Sequence, residues 1–149
     1  MAVDKDEKDH CDLSIRIGGE AGQGMNSIGS LLGKAFVRSG FHVFINQDVM
    51  SRIRGGHNDI QIRVSDRTVN CPAGRVDILV CLDKNTLELY RDVVDGLIVY
   101  DEGKIGENAP SGPKFLPLAM EKIAEETGGR SRMANSVASG ALMALTGFS

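Results

Sequence analysis

The sequence predicts an α/β fold of three layers: a mixed, mostly parallel sheet that begins with a βαβ unit, takes in one antiparallel hairpin and carries helices on both faces. Three observations predict it. Asp12-Leu13-Ser14-Ile15-Arg16-Ile17 alternates apolar and polar residues, as a strand does, and runs straight into a glycine-rich segment. From Met25 to Ser39 the apolar residues Ile28, Leu31, Leu32, Ala35 and Phe36 recur on one helical face, and Gly40 is placed to end the helix. Asp77–Leu82 and Leu97–Tyr100 are continuous apolar runs, as expected of parallel strands covered on both faces.

The remaining elements follow in order. Phe41 to Asn46, aromatic and β-branched, is a second strand. Ile60, Ile62 and Val64 alternate with Gln61 and Arg63, the pattern of a half-exposed strand. Ser65-Asp66-Arg67 reads as a turn and Thr68-Val69 as the start of a return strand, which makes the hairpin. Asn85 with Glu88 three positions on resembles a capping arrangement for a helix running to about Val94. Gly103 to Pro117 holds three of the four prolines and reads as loop, with one short strand at Lys114–Leu116. Ala119 to Thr127 is a helix stopped by Gly128-Gly129, and Met133 to Leu145 is a last helix crowded with small residues that permit close backbone approach.

Length and composition bound the function. A chain of 149 residues, 42% hydrophobic, is one domain with a core of its own. Met1 to His10 carry six charges and almost no apolar content, so residues 1–11 are expected to be a disordered tail and 12–149 the domain. The chain stops two or three residues after its last helix, which reads as a truncated domain or the first part of a longer polypeptide. A net charge of −3 excludes a general nucleic-acid or anionic-membrane surface, and no apolar run approaches the roughly 20 residues that cross a bilayer. Cys11, Cys71 and Cys81 are odd in number and widely spaced. They suggest neither a disulfide framework nor a zinc or iron–sulfur site, and a reducing cytoplasm fits them.

Two segments carry the chemistry. Gly18-Gly19-Glu20-Ala21-Gly22-Gln23-Gly24 lies between the first strand and the first helix, where free backbone N–H groups and the helix dipole attract anions and glycines allow close approach. Gly22 to Ser27 reads G-x-G-x-x-S, which only approaches the dinucleotide pattern; Asp48 stands where a ribose-binding acid would, and no Walker lysine follows. Ser51-Arg52-Ile53-Arg54-Gly55-Gly56-His57 joins two guanidinium groups, two glycines and an imidazole, a set of donors suited to carboxylate or phosphate. Arg63, Arg67 and Arg75 follow, and a plainer reading has these arginines paired with the chain's many acids. The candidate ligand- or partner-binding residues are therefore Gly19, Gly22, Gln23, Gly24, Ser51, Arg52, Arg54, Gly55, Gly56 and His57. No catalytic or metal-ligating set is found: there is no G-x-S-x-G, no H-E-x-x-H, no pair of carboxylates with an acid–base division and no thiamine diphosphate motif.

Ile17–Gly24, Gly40-Phe41-His42-Val43-Phe44, Ser51–Asn58, Val64-Ser65-Asp66 and the late Asn135-Ser136-Val137-Ala138-Ser139-Gly140 helix together resemble the gamma domain of the 2-oxoacid:ferredoxin oxidoreductases, over about residues 12 to 147. In this pyruvate/2-oxoglutarate class (EC 1.2.7) the domain occurs as a separate gamma subunit or fused ahead of an alpha domain. The resemblance implies an enzyme that cleaves a 2-oxoacid with thiamine diphosphate and magnesium, sends two electrons through iron–sulfur clusters to ferredoxin and delivers the acyl group to coenzyme A. It also implies that alpha and beta partners hold the thiamine and cluster sites, that this chain binds none of those cofactors and is inactive alone, and that it serves mainly assembly, with a part in the coenzyme A end of the site. A homodimer is left open. Asp48-Val49-Met50 departs from the family, where an aromatic and a proline are commoner before the arginine–glycine segment. Two other readings compete: a small Rossmann-like nucleotide-binding module and an assembly-only scaffold.

Overall fold

The computed structural model describes residues 10–20, 24–49, 57–130 and 133–147. In chain order the elements are β1 (Asp12–Glu20), α1 (Met25–Arg38), β2 (His42–Val49), β3 (His57–Ser65), β4 (Val76–Cys81), α2 (Lys84–Tyr90), β5 (Val94–Asp101), α3 (Glu102–Ile105), β6 (Phe115–Leu118), α4 (Met120–Glu126) and α5 (Ala134–Thr146). They form one six-stranded sheet, β2-β3-β1-β4-β5-β6. β3 runs antiparallel to both β2 and β1, while β1, β4, β5 and β6 pair in parallel. The sheet is thus mixed and mostly parallel, as the sequence predicts.

Where the structure departs from the sequence reading, pairing explains the difference. β1 does not stop at Ile17: it continues through Gly18 and Gly19, which pair with Asp59 and Asn58 of β3. Gly19 is therefore a buried strand residue, not part of a ligand loop as expected. The hairpin forms with the preceding strand, β2 against β3, and residues 68–70 make no return strand. β3 already has a neighbour on each side, so no edge is left for them. Its polar residues Asp59 and Gln61 are buried as well, against the expectation of a half-exposed strand. Asp83, not Asn85, caps α2 by accepting from the Thr86 N–H at 2.9 Å, and the helix ends at Tyr90 because Val94 already belongs to β5. His10 and Cys11, the last residues of the expected tail, join the turn at Asp66: the Cys11 N–H donates to the Asp66 carboxylate at 3.1 Å, and His10 contacts the same group.

The core has two parts. On one face Ile15, Ile17, Ile60, Ile62, Val64, Val80 and Val99 pack against Ile28, Leu32 and Phe36 of α1, Met120 of α4 and Leu142 of α5. Each such fully buried side chain contributes about 1.5–3 kcal/mol relative to exposure. On the other face Leu79, Cys81, Ile98 and Tyr100 of β4 and β5 lie under Leu87 of α2 and Ile105 of α3. This apolar cover ends at β1. Beyond it the same face carries Ser14, Arg16, His57, Asp59, Gln61 and Arg63.

Candidate functional site

The chain leaves β1 through α1 on one face and β4 through α2 on the other, so the crevice between the carboxyl ends of these adjacent strands is the topological switch point, where open α/β sheets receive ligands. β1, β3, α1, α2 and α5 meet there. Gly18 near the end of β1 accepts from the Leu82 N–H at 2.9 Å. A side chain at Gly18 is excluded, because a Cβ would sit 2.5 Å from Thr86 Cγ2 and 2.9 Å from His57 Cε1. Gly24 precedes α1 with φ 77°, the left-handed region that favours glycine, and its missing Cβ leaves room for Asn135, whose Nδ2 would be 2.4 Å away. The amino ends of α1 and α5 therefore lie side by side at the same sheet edge as His57.

His57 opens β3, pairs across to Glu20 at the end of β1 and is 5% exposed. Its Nε2 lies 3.3 Å from Asp59 Oδ2, an ion-pair distance, yet neither ring nitrogen makes a hydrogen bond of good geometry among the described residues. Asp59 is the hub of the cluster. The Tyr90 hydroxyl donates to its Oδ2 at 2.5 Å, Arg16 Nη1 stands 3.9 Å from the same oxygen, and the Arg16 guanidinium lies 4.7 Å over the Tyr90 ring. Burial, reinforced by the Asp59 hydrogen bond and charge, pushes the Tyr90 hydroxyl above its ordinary range. Arg16 Nη2 donates to Gln61 Oε1 at 3.1 Å, and the Gln61 amide donates to Ser14 Oγ at 3.0 Å and to the Ala73 carbonyl at 2.9 Å. A continuous polar strip thus runs down the face of β1 and β3 from His57 towards the amino end of β1.

At that amino end, about 26 Å away by strand rise, the strip becomes structural. Arg63 grips both oxygens of Asp12 at 2.9 and 2.8 Å, and Arg75 pairs with Asp77 at 3.2 Å. The guanidinium of Arg63 holds the Asp12 carboxyl below its usual range. Arg63 and Arg75 therefore do not join His57 in one cationic site, and the plainer reading holds for both. Of the other candidates, Gly19 is a strand residue, Gly24 and His57 reach the carboxyl edge, and Gly22, Gln23, Ser51, Arg52, Arg54, Gly55 and Gly56 lie outside the described residues. Segment 50–56 is attached at Val49 and His57, both at that edge.

Sequence reasoning missed Arg16, Asp59, Gln61, Thr86 and Tyr90. The signal was present in the polar positions of two alternating strands, Ser14 and Arg16 in β1 and His57, Asp59 and Gln61 in β3, which alternation alone assigned to solvent. Cys81 is a fully buried core residue whose thiol burial pushes up, and Cys71 is exposed. Among the described residues no three His, Cys, Asp or Glu side chains are arranged to hold a metal, and no helix is long and apolar enough to cross a membrane.

Comparison with known proteins decides the family. The model of the family described as pyruvate ferredoxin/flavodoxin oxidoreductase matches residues 14–149. The chain belongs to this family. As a gamma-type member of the pyruvate ferredoxin/flavodoxin oxidoreductases it is 35% identical over 140 residues to the 2-oxoglutarate synthase subunit KorC of Archaeoglobus fulgidus, covering 92% of this chain and 72% of that one. It is also 34% identical over 112 residues to the 2-oxoacid:ferredoxin oxidoreductase subunit alpha of a Sulfolobus species, where the match covers 74% of this chain but only 18% of the relative. The gamma subunit of keto/oxoacid ferredoxin oxidoreductase from Geobacter sulfurreducens superposes with a TM-score of 0.77 at 26% identity, over 93% of this chain and 78% of the subunit. The 2-oxoglutarate:ferredoxin oxidoreductase of Magnetococcus marinus, solved with 2-oxoglutarate, coenzyme A and succinyl-CoA bound, superposes equally well, TM-score 0.77 at 28% identity, over 89% of this chain and 24% of that one. Neither the nucleotide-module reading nor the scaffold reading is favoured by these likenesses.

Proposed function

We propose that this chain is the gamma-type part of a cytoplasmic 2-oxoacid:ferredoxin oxidoreductase, working in a complex whose alpha and beta partners carry thiamine diphosphate, magnesium and the iron–sulfur clusters and pass electrons to ferredoxin. The observation that carries it is the near end-to-end correspondence, in sequence and in fold, with gamma-type relatives. The chain itself supplies no reacting group in this reading. Its carboxyl edge, with Gly24 and His57 and with Arg52 and Arg54 in the attached segment, faces a partner subunit or the anionic groups of coenzyme A, the acyl acceptor. The support is physical: the amino end of the 14-residue helix α1 favours negative charge, a buried imidazole lies at the same carboxyl edge of the sheet on the α2 face, and two guanidinium groups follow Val49 in sequence. Co-expression with thiamine- and cluster-binding subunits tests it. The expected result is one complex that reduces viologen only when both 2-oxoacid and coenzyme A are present; a chain that associates with no such subunit overturns it.

A further inference from the structure

The sheet ends differently at its two edges. β6 is four residues long and contains Pro117, so it offers little backbone to a further strand. β2 is eight residues long, His42–Val49, has β3 as its one neighbour among the described residues, and contains no proline, lysine or glycine. Long unguarded edges of this kind are templates for another strand.

Beside the β2 edge, between that strand and α1, lies a groove of about 560 Å³. Val37, Val43 and Ile45 make its apolar surface, and Val37 and Ile45 are 58% and 41% exposed. Gly33 keeps the groove deep, since a Cβ there would stand 2.8 Å from Ile45 Cδ1. Lys34 and Arg38, one helical turn apart, rim it and form no ion pair with any described residue. A chain of net charge −3 thus places two cations, unpaired among the described residues, next to exposed apolar surface and a strand edge that no described strand covers.

We propose that this edge and groove dock an extended segment of a partner subunit, which adds to β2 as a seventh strand, sets an aliphatic side chain against Val43 and Ile45, and sets a carboxylate on the same face against Lys34 and Arg38. The proposal rests on the reading of the chain as one part of a larger enzyme. Strand addition supplies affinity through main-chain hydrogen bonds and specificity through alternate side chains, and the groove provides the pocket and the charge for those side chains. A second copy of this chain is the poorer occupant, because pairing through the same edge would bring a second Lys34 and Arg38 to the shared cleft.

The test uses the full chain co-expressed with thiamine- and cluster-binding subunits, with Lys34→Glu/Arg38→Glu and Val37→Glu as variants at exposed positions and Lys84→Glu on α2 as the control. The two groove variants are expected to weaken association at least tenfold, with the control unchanged and the far-ultraviolet circular dichroism of all three native. Amide hydrogen exchange over residues 42–48 is expected to slow at least tenfold in the wild-type complex. A complex that forms with unchanged affinity in both groove variants, or without protection of 42–48, overturns this docking site and leaves the family function standing. A homodimer of the chain alone that protects the same amides also overturns it. Absence of any wild-type complex overturns the function proposed above and this site with it.

Discussion

The two halves of one sheet face are built on opposite principles. Under α2, the face of β4 and β5 presents Leu79, Cys81, Ile98 and Tyr100, and Leu87 and Ile105 cover it. One strand further on, β1 and β3 bury His57, Asp59 and Gln61 to a similar depth, joined through Arg16 and Tyr90. Burying polar groups stabilises a fold little even when they are paired, whereas leaving one unpaired is costly. The apolar half is accordingly the part that holds the domain together. The polar half fixes the position of one imidazole at the switch point.

The largest effect that separates the halves is expected from Leu79→Ala. Leu79 is fully buried, and truncation should cost about 2–5 kcal/mol. Chemical denaturation reads this loss. Gly18→Val strikes the seam between the halves, because its side chain must displace Thr86 and the His57 ring. A cost of about 3 kcal/mol is expected, with a shift of the His57 imidazole signals in a nuclear magnetic resonance spectrum. Unchanged His57 signals would separate Gly18 from the polar strip.

Asp59→Asn is expected to cost less, about 2 kcal/mol, by weakening the pairing of buried donors. It also has a spectroscopic mark. Tyr90 is held above its ordinary range by burial and by Asp59, so the stability tied to its neutral hydroxyl is present below about pH 10 and is lost as pH rises through the raised value. Absorbance titration should show the Tyr90 transition move down in Asp59→Asn. At the other end of the strip Asp12→Asn should cost about 1 kcal/mol, since the pair with Arg63 is only partly buried. Arg63 lowers the Asp12 carboxyl, so this contribution is present above the ordinary carboxylate range near pH 4 and is lost as pH falls through the lowered value. Stability curves of wild type and variant should therefore converge in strong acid.

The fold was legible wherever a single period governed the segment. The helix of Ile28, Leu32 and Phe36 and the apolar runs of β4 and β5 stand where the sequence puts them. What failed depended on pairing between distant segments. Gly18 and Gly19 read locally as loop, yet nine residues of β3 extend β1 through them. Thr68 and Val69 read as a return strand, but β3 is already enclosed by β1 and β2. For the candidate site, His57 and the glycine before α1 were found from residue type. Asp59, Arg16 and Tyr90 were not, because alternation cannot tell a polar residue facing solvent from one facing another polar strand, and Tyr90 comes from a helix on a different part of the chain.

The division between the halves is tested most directly by comparing His57→Gln with Leu79→Ala in the complex co-expressed with its thiamine- and cluster-binding partners, measuring both the unfolding midpoint and the 2-oxoacid- and coenzyme A-dependent viologen reduction per assembled complex. Leu79→Ala should lower the midpoint and the yield of complex while leaving turnover per complex unchanged, and His57→Gln should cut turnover per complex at least tenfold with a smaller shift in the midpoint. If the two variants lose turnover only in proportion to their loss of stability, the polar half is scaffold like the apolar half, and the functional role given to the His57 edge is wrong.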